Sequence, residues 1–264
     1  MNILAQITAR TKERVEARKK VLPLEKLMET AHSDITGDFF FEKALRANDI
    51  AFICEIKKAS PSKGIIAEDF PYIEIAKDYK DAGAAAISVL TEPFWFMGSD
   101  RYLREIADAV DIPLLRKDFT VDSYMIYEAK MLGASAVLLI CSILDRDTLA
   151  EYISVSHSLG LSALVEVHSE EEAEMAVSAG ARIIGVNNRC LKTFEVDLTI
   201  SERLKKQMPQ NVLFVSESGF SSPGDIMKMR EIGADAVLIG ESIMRSADKR
   251  EALTRLRGYE HGKN

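Results

Sequence analysis

Five charged side chains close otherwise apolar runs of this 264-residue chain: Glu55 and Lys57 end residues 50–57, Lys117 ends 112–117, Glu166 nearly ends 161–167, and Glu217 ends 212–217. Strand side chains alternate faces, so Ile53, Glu55 and Lys57 share one face, as do Leu164 with Glu166 and Leu213, Val215 with Glu217. A single charge at a strand end ordinarily surfaces into solvent. Five on one parity, in both signs, read as a site where ammonium groups and carboxylates exchange protons and stabilise developing charge. Two glycine turns follow the last two strands, Ser216-Glu217-Ser218-Gly219 and Ile239-Gly240-Glu241-Ser242. Bare backbone N–H groups converging there fit a phosphate, although either turn alone would be an ordinary one.

The elements that must hold these groups recur. Four times a glycine and a small residue run into an apolar strand: at Gly83-Ala84, Gly133-Ala134, Gly180-Ala181 and Gly233-Ala234. The glycines lie 50, 47 and 53 positions apart, about twice the thirty or so residues of one strand-crossover-helix unit. Each fits a helix C-cap, and each run a buried parallel strand. Four further runs at 50–57, 112–117, 161–167 and 212–217 bring the strands to eight, each followed by a helix-like stretch. This predicts an α/β fold, a (β/α)8 TIM barrel; an open doubly wound sheet would use the same local pattern. In the barrel the charged strand ends line the C-terminal mouth, where active sites of this architecture are built.

Composition narrows the class. With 47% hydrophobic residues the chain can bury one large core, and a net charge of −7 argues against nucleic acid as the main partner. Cys54, Cys141 and Cys190 form no close pair, and His32, His157, His168 and His261 are scattered, so no metal and no cofactor is expected and the compartment is reducing. No run is long enough to span a membrane, and there is no secretory h-region, which predicts a cytoplasmic protein without a membrane partner. The expected organisation is a helical extension over residues 1–47 packed on a barrel of 48–264, one domain in all. The extension carries Ile3, Leu4 and Ile7 at helical spacing and a cationic cluster, Arg10, Lys12, Arg14, Arg18, Lys19 and Lys20. A solvated cationic face is the simplest expectation; a cover over the mouth, its cations complementing an anionic substrate, is the functional one.

Six motifs at strand ends carry a resemblance: Glu55-Ile56-Lys57-Lys58-Ala59-Ser60-Pro61-Ser62-Lys63-Gly64, Leu115-Arg116-Lys117-Asp118-Phe119, Leu164-Val165-Glu166, Asn187-Asn188-Arg189, and the two glycine turns. In this order they resemble the indole-3-glycerol phosphate synthase family of tryptophan biosynthesis, over essentially the whole chain. The resemblance implies a carboxy-lyase that closes the ring of 1-(o-carboxyphenylamino)-1-deoxyribulose 5-phosphate, releasing carbon dioxide and water. Lys117 then looks like the general acid on the ribulose carbonyl and Glu166 like the second acid/base group, a role that a carboxyl with a raised pKa among apolar walls would suit. Lys57 looks like the cation for the substrate carboxylate and the dehydration step, with Glu55 holding it; which of Lys57 and Glu166 supplies the second-stage proton is open. Asn187 resembles the hydroxyl-binding asparagine, and Glu217 and Ser218 the positioning pair. Ser60, Gly219, Gly240 and Glu241 fall on phosphate positions, Phe96 and Phe119 on aromatic positions that would sandwich the anthranilate ring, and Arg189 among the substrate contacts.

Two departures are visible, Cys190 after Asn-Asn-Arg and the second-strand loop Glu92-Pro93-Phe94-Trp95-Phe96. Phosphoribosylanthranilate isomerase, the rival enzyme, is expected by resemblance to need a cysteine base on the first strand and an aspartate on the sixth. Here Cys54 has the wrong parity for the lumen and Asn187 cannot exchange a proton. A silent phosphate-binding docking module would not need Glu55, Lys57, Lys117 and Glu166 together. Association with other tryptophan-pathway enzymes is left open by the sequence.

Overall fold

The computed structural model describes residues 3–33, 38–46, 49–190 and 193–258. The expected boundary at residue 47 and His261 lie outside them, as does the side chain of His32. Eight parallel strands close a barrel in sequence order: β1 (Ala51–Ile56), β2 (Ala86–Leu90), β3 (Leu114–Lys117), β4 (Ala136–Ile140), β5 (Ser162–Val167), β6 (Ile183–Asn187), β7 (Leu213–Glu217) and β8 (Ala236–Ile239), with β8 pairing back onto β1. The closed barrel, not the open sheet, is the answer to the ambiguity of the local pattern. Ile53 is in register with Ala86 on one side and Leu238 on the other.

Parity divides the core into two shells. Ile53, Leu115, Leu138, Leu164, Val215 and Leu238 fill the lumen, while Phe52, Cys54, Val137, Val165, Ile184 and Phe214 pack outward beneath the helices. Cys54 is thus outside the lumen, and burial pushes its thiol up to about 12. The four repeated glycines each follow a helix in the left-handed region, with φ of 78° at Gly83, 84° at Gly133, 86° at Gly180 and 75° at Gly233. A side chain is strained there, which explains the repeat as a set of helix stops.

Among the described residues three helices precede β1. The first, α1 (Ile3–Val21), and the second, α2 (Leu24–Ser33), lie against the barrel side, and the third, α3 (Phe40–Leu45), closes the barrel bottom. Phe41 and Leu45 complete the lumen core beneath Ala51, Ala86 and Ala136, and the Glu42 backbone N–H donates to Ser162 Oγ at 3.3 Å. Of the six cations on α1, Arg10, Lys12 and Lys20 are exposed as a solvated face would have them, but Arg14, Arg18 and Lys19 are bound to the barrel. Arg14 donates to both Asp118 oxygens at 2.9 and 2.8 Å, Arg18 pairs with Glu128 at 2.7 Å and with Asp100, and Lys19 pairs with Asp122 at 2.6 Å. Arg10 sits over the Phe94 ring, 4.9 Å from its centroid. Barrel carboxylates therefore take up half of these six charges, because the segments after β2 and β3 present an acidic surface that sequence spacing does not reveal. Among the described residues no helix is long and apolar enough to cross a membrane.

Candidate active site

The C-terminal ends of the strands open into a cavity of about 410 Å³, and all fourteen positions singled out from the sequence line it. Lumen parity delivers Glu55, Lys117, Glu166 and Glu217 from β1, β3, β5 and β7, and Lys57 just past β1. Lys117 is the centre: its Nζ donates to Glu166 Oε2 at 3.0 Å and to Glu217 Oε2 at 2.9 Å. Lys57 Nζ donates to Glu55 Oε1. The first pair of carboxyls is buried, Glu166 to 3% exposure and Glu217 to 1%, so each ionised form depends on its cation.

Burial opposes the charge of Lys117, but the carboxylates of Glu166, Glu217 and Glu55 outweigh it and hold the ammonium well above the ordinary lysine range. Burial raises the Glu217 carboxyl, and the negative charges of Glu166 and Glu55 add to it against the Lys117 ammonium; the group is pushed up to about 7. Glu166 goes the other way. Burial raises it too, but it has two cations where Glu217 has one, Lys117 and His168, whose Nε2 lies 3.3 Å from Glu166 Oε1, and they take it below the usual carboxylate range. The raised carboxyl expected at Glu166 therefore sits at Glu217. His168, which looked scattered in sequence, also approaches Glu172 Oε2 at 3.2 Å; burial lowers its pKa, and the two carboxylates raise it to about 10.

Glycines make room for this machinery. A Cβ at Gly185 would lie 2.1 Å from Glu217 Oε1, and one at Gly240 would lie 2.5 Å from Glu55 Oε1 and 3.1 Å from Lys57 Nζ. Gly240 thus accommodates the Glu55–Lys57 pair as well as opening the last turn. Gly219 has φ 97°, and a Cβ there would meet Val196 at 2.3 Å. Gly240 precedes a short helix, Glu241–Met244. The Glu241 carboxylate gathers Arg245 at 3.4 Å, Lys63 at 3.6 Å and Arg189 at 3.7 Å. Next to it the Ser242 Oγ is buried without a hydrogen-bond partner and lines the cavity. Ser60, Gly219, Gly240 and Glu241 thus share one cavity with Lys57, Arg189 and Arg245, a cationic and N–H-rich end that fits an anion.

Phe96 and Phe119 do not form two sides of a slot. Their centroids are 6.1 Å apart at an interplanar angle of 40°, the separation of rings in contact, so no third ring fits between them. They make one wall, and Ile3, Leu4 and Ile7 of α1 add apolar surface to the same cavity. Asn187 accepts the Arg189 N–H at 3.1 Å, which fixes the turn after β6, and Ser218 lies in the left-handed region at φ 70°. Sequence reasoning missed the buried Asn188. Its Nδ2 donates to Ser216 Oγ at 2.9 Å, Glu217 O at 3.0 Å and Ser218 O at 3.2 Å, and its Oδ1 accepts from Ser201 Oγ at 2.8 Å. The signal available was a polar amide on the outward parity beside Asn187, where only a satisfied network makes burial tolerable.

A family model described as indole-3-glycerol phosphate synthase matches residues 4–256. The chain belongs to the indole-3-glycerol phosphate synthase family. A protein of that name from Ruminiclostridium cellulolyticum is 57% identical over 257 residues, covering 97% of this chain and 99% of the relative. Another, from Endomicrobium trichonymphae, is 51% identical over 260 residues, covering 97% and 99%. A solved 3-hexulose-6-phosphate synthase superposes with a TM-score of 0.62 at 17% identity, over 79% of this chain and 99% of that one, a likeness of fold alone. Both relatives are thus matched over nearly their whole length by nearly the whole of this chain.

Proposed function

We propose that this chain catalyses the family's reaction: ring closure of 1-(o-carboxyphenylamino)-1-deoxyribulose 5-phosphate to indole-3-glycerol phosphate, with release of carbon dioxide and water. The observation that carries the assignment of roles is the Lys117 ammonium, held between Glu166 and Glu217 at the head of the cavity. When the aromatic ring carbon attacks the ribulose carbonyl, Lys117 donates a proton to the carbonyl oxygen, which becomes a hydroxyl, and its charge stabilises that oxygen in the transition state. Loss of carbon dioxide restores the aromatic ring. Departure of the hydroxyl as water and loss of a proton from the carbon beside nitrogen then complete the indole.

An ionised Glu166 is suited to accept that last proton, and the cations on either side of it support this role. Lys57, beside Glu55, is the remaining ammonium in the cavity and the donor to the leaving hydroxyl; it also meets the substrate carboxylate before that group is lost. Asn187, Glu217 and Ser218 position the sugar hydroxyls. Ser60, with the N–H groups of Gly219, Gly240 and Glu241, takes the phosphate, and Arg189 neutralises part of its charge. Phe96 and Phe119 offer an apolar wall to the anthranilate ring, and α1 covers the mouth, excluding water from the charged intermediate. We assign the reaction to the cytoplasm, a reducing compartment that suits three cysteines held outside any disulfide. Purified protein given the substrate develops the indole chromophore; saturable binding without turnover would leave a docking module, and an isomerised sugar would leave the neighbouring isomerase.

A further inference from the structure

The loop after β2 is folded around one buried carboxylate. Glu92 is 1% exposed, and its oxygens accept three consecutive backbone N–H groups: Phe94 on Oε1 at 2.9 Å, and Trp95 and Phe96 on Oε2 at 2.8 and 3.0 Å. Its own carbonyl accepts the Gly98 N–H at 2.8 Å, which closes the loop. Met97 has φ 52°, and a Cβ at Gly98 would lie 2.4 Å from the Leu90 carbonyl oxygen. The chain thus turns tightly back onto the end of β2. The Phe96 carbonyl accepts the Ala59 N–H at 3.2 Å, so the loop is tied to the segment bearing Ser60. Its side chain lines the cavity beside Phe119.

We propose that Glu92 is a positioning residue for the aromatic end of the substrate site. By gathering the N–H groups of residues 94–96 around its carboxylate, it sets the Phe96 ring as the wall against which the substrate's aryl group lies. This rests on the proposed function. Three N–H groups in one short turn have no intrahelical or strand partner, and a buried charged acceptor satisfies all of them with stronger bonds than a neutral group makes. An amide in its place keeps one acceptor oxygen and turns an NH2 towards the same donors.

A double-mutant cycle with Phe96 tests this. Glu92→Gln raises KM for the phosphorylated aryl substrate by roughly ten- to a hundred-fold, the loss of charge-assisted hydrogen bonds, and leaves the inhibition constant of inorganic phosphate unchanged. In the Phe96→Ala background the same substitution adds less than about threefold, because its effect runs through that ring. Glu92→Asp, which retains the charge on a shorter stem, gives a smaller rise and keeps the comparison readable if the amide variant folds poorly. Equal KM effects with and without Phe96, a parallel loss of phosphate inhibition, or an unchanged KM in Glu92→Gln where Phe96→Ala raises it would each overturn the assignment of Glu92. A Phe96→Ala variant with the parent's KM would instead remove the aryl-wall reading, and the proposal with it.

Discussion

Replacing Lys117 by alanine removes the cation shared by Glu166 and Glu217, and the structure sets two separate magnitudes. Loss of one general acid lowers turnover by about a hundred- to ten-thousand-fold. The second effect is on stability, because Nζ lies 3.0 Å from one buried carboxylate and 2.9 Å from the other. Breaking a buried pair from one side costs on the order of 3–5 kcal/mol while the orphaned charge persists. A proton can replace the ammonium. Glu217, already at about 7 with Lys117 present, moves higher without it. Its folded pKa then stands further above the unfolded carboxylate value, so the variant keeps its stability at low pH and loses it as pH rises through the folded pKa. Between pH 6 and pH 8 that group alone costs the variant up to about 2.7 kcal/mol at about 1.36 per pH unit, and it costs the parent, where it titrates at about 7, about half of that. For a chain of this size the variant's extra loss in Tm at pH 8 is roughly 3–5 °C. Indole formation followed by absorbance gives the turnover, and thermal melts of parent and variant at both pH values give the rest. Turnover within a few-fold of the parent refutes Lys117 as the acid, and a Tm difference that does not change with pH refutes the electrostatic account of the cluster.

Gly240→Val drives a side chain into the Glu55–Lys57 pair, so kcat falls together with a rise in KM, whereas crowding of the phosphate alone would raise KM only; steady-state kinetics on phosphorylated and dephosphorylated substrate separate the two. His168→Gln removes a group whose folded pKa is raised to about 10, so stability that the parent holds below about 6.5 and loses towards pH 10 disappears, on the order of a few kcal/mol; the difference between melts at pH 6 and pH 10 should shrink in the variant to what Glu217 and the other groups contribute, and an unchanged difference counts against the Glu166–His168–Glu172 contacts. Deleting residues 1–22 strips Ile3, Leu4 and Ile7 from the cavity and uncovers Asp118, Glu128 and Asp122, so substrate binding weakens and Tm falls while α3 still closes the barrel bottom; circular dichroism and kinetics matching the parent's would make α1 a passive appendage.

Local pattern alone determined a large part of this protein. Strand and helix follow from apolar period and capping residues, and the four glycines at φ near 80° stop helices for reasons of backbone sterics that operate within a few residues. Alternation along a strand decided which face Glu55, Lys117, Glu166 and Glu217 share, since the parity of a pleated chain is local as well. Closure of the sheet was not local: β8 meets β1 only because eight strands share one twist and tilt. The partners of the charges were likewise decided in three dimensions. Lys117 bonds residues 49 and 100 positions away, and Arg14 one 104 away, so a cationic helix that reads as solvated is bound to the barrel. The protonation order of the carboxyls depends on how many cations stand within a few ångströms of each buried oxygen. Glu166 has two and Glu217 one: Lys117 reaches both carboxylates only because β3, β5 and β7 converge on one lumen, while His168 stands two residues beyond Glu166 on the same parity and owes part of its charge to Glu172.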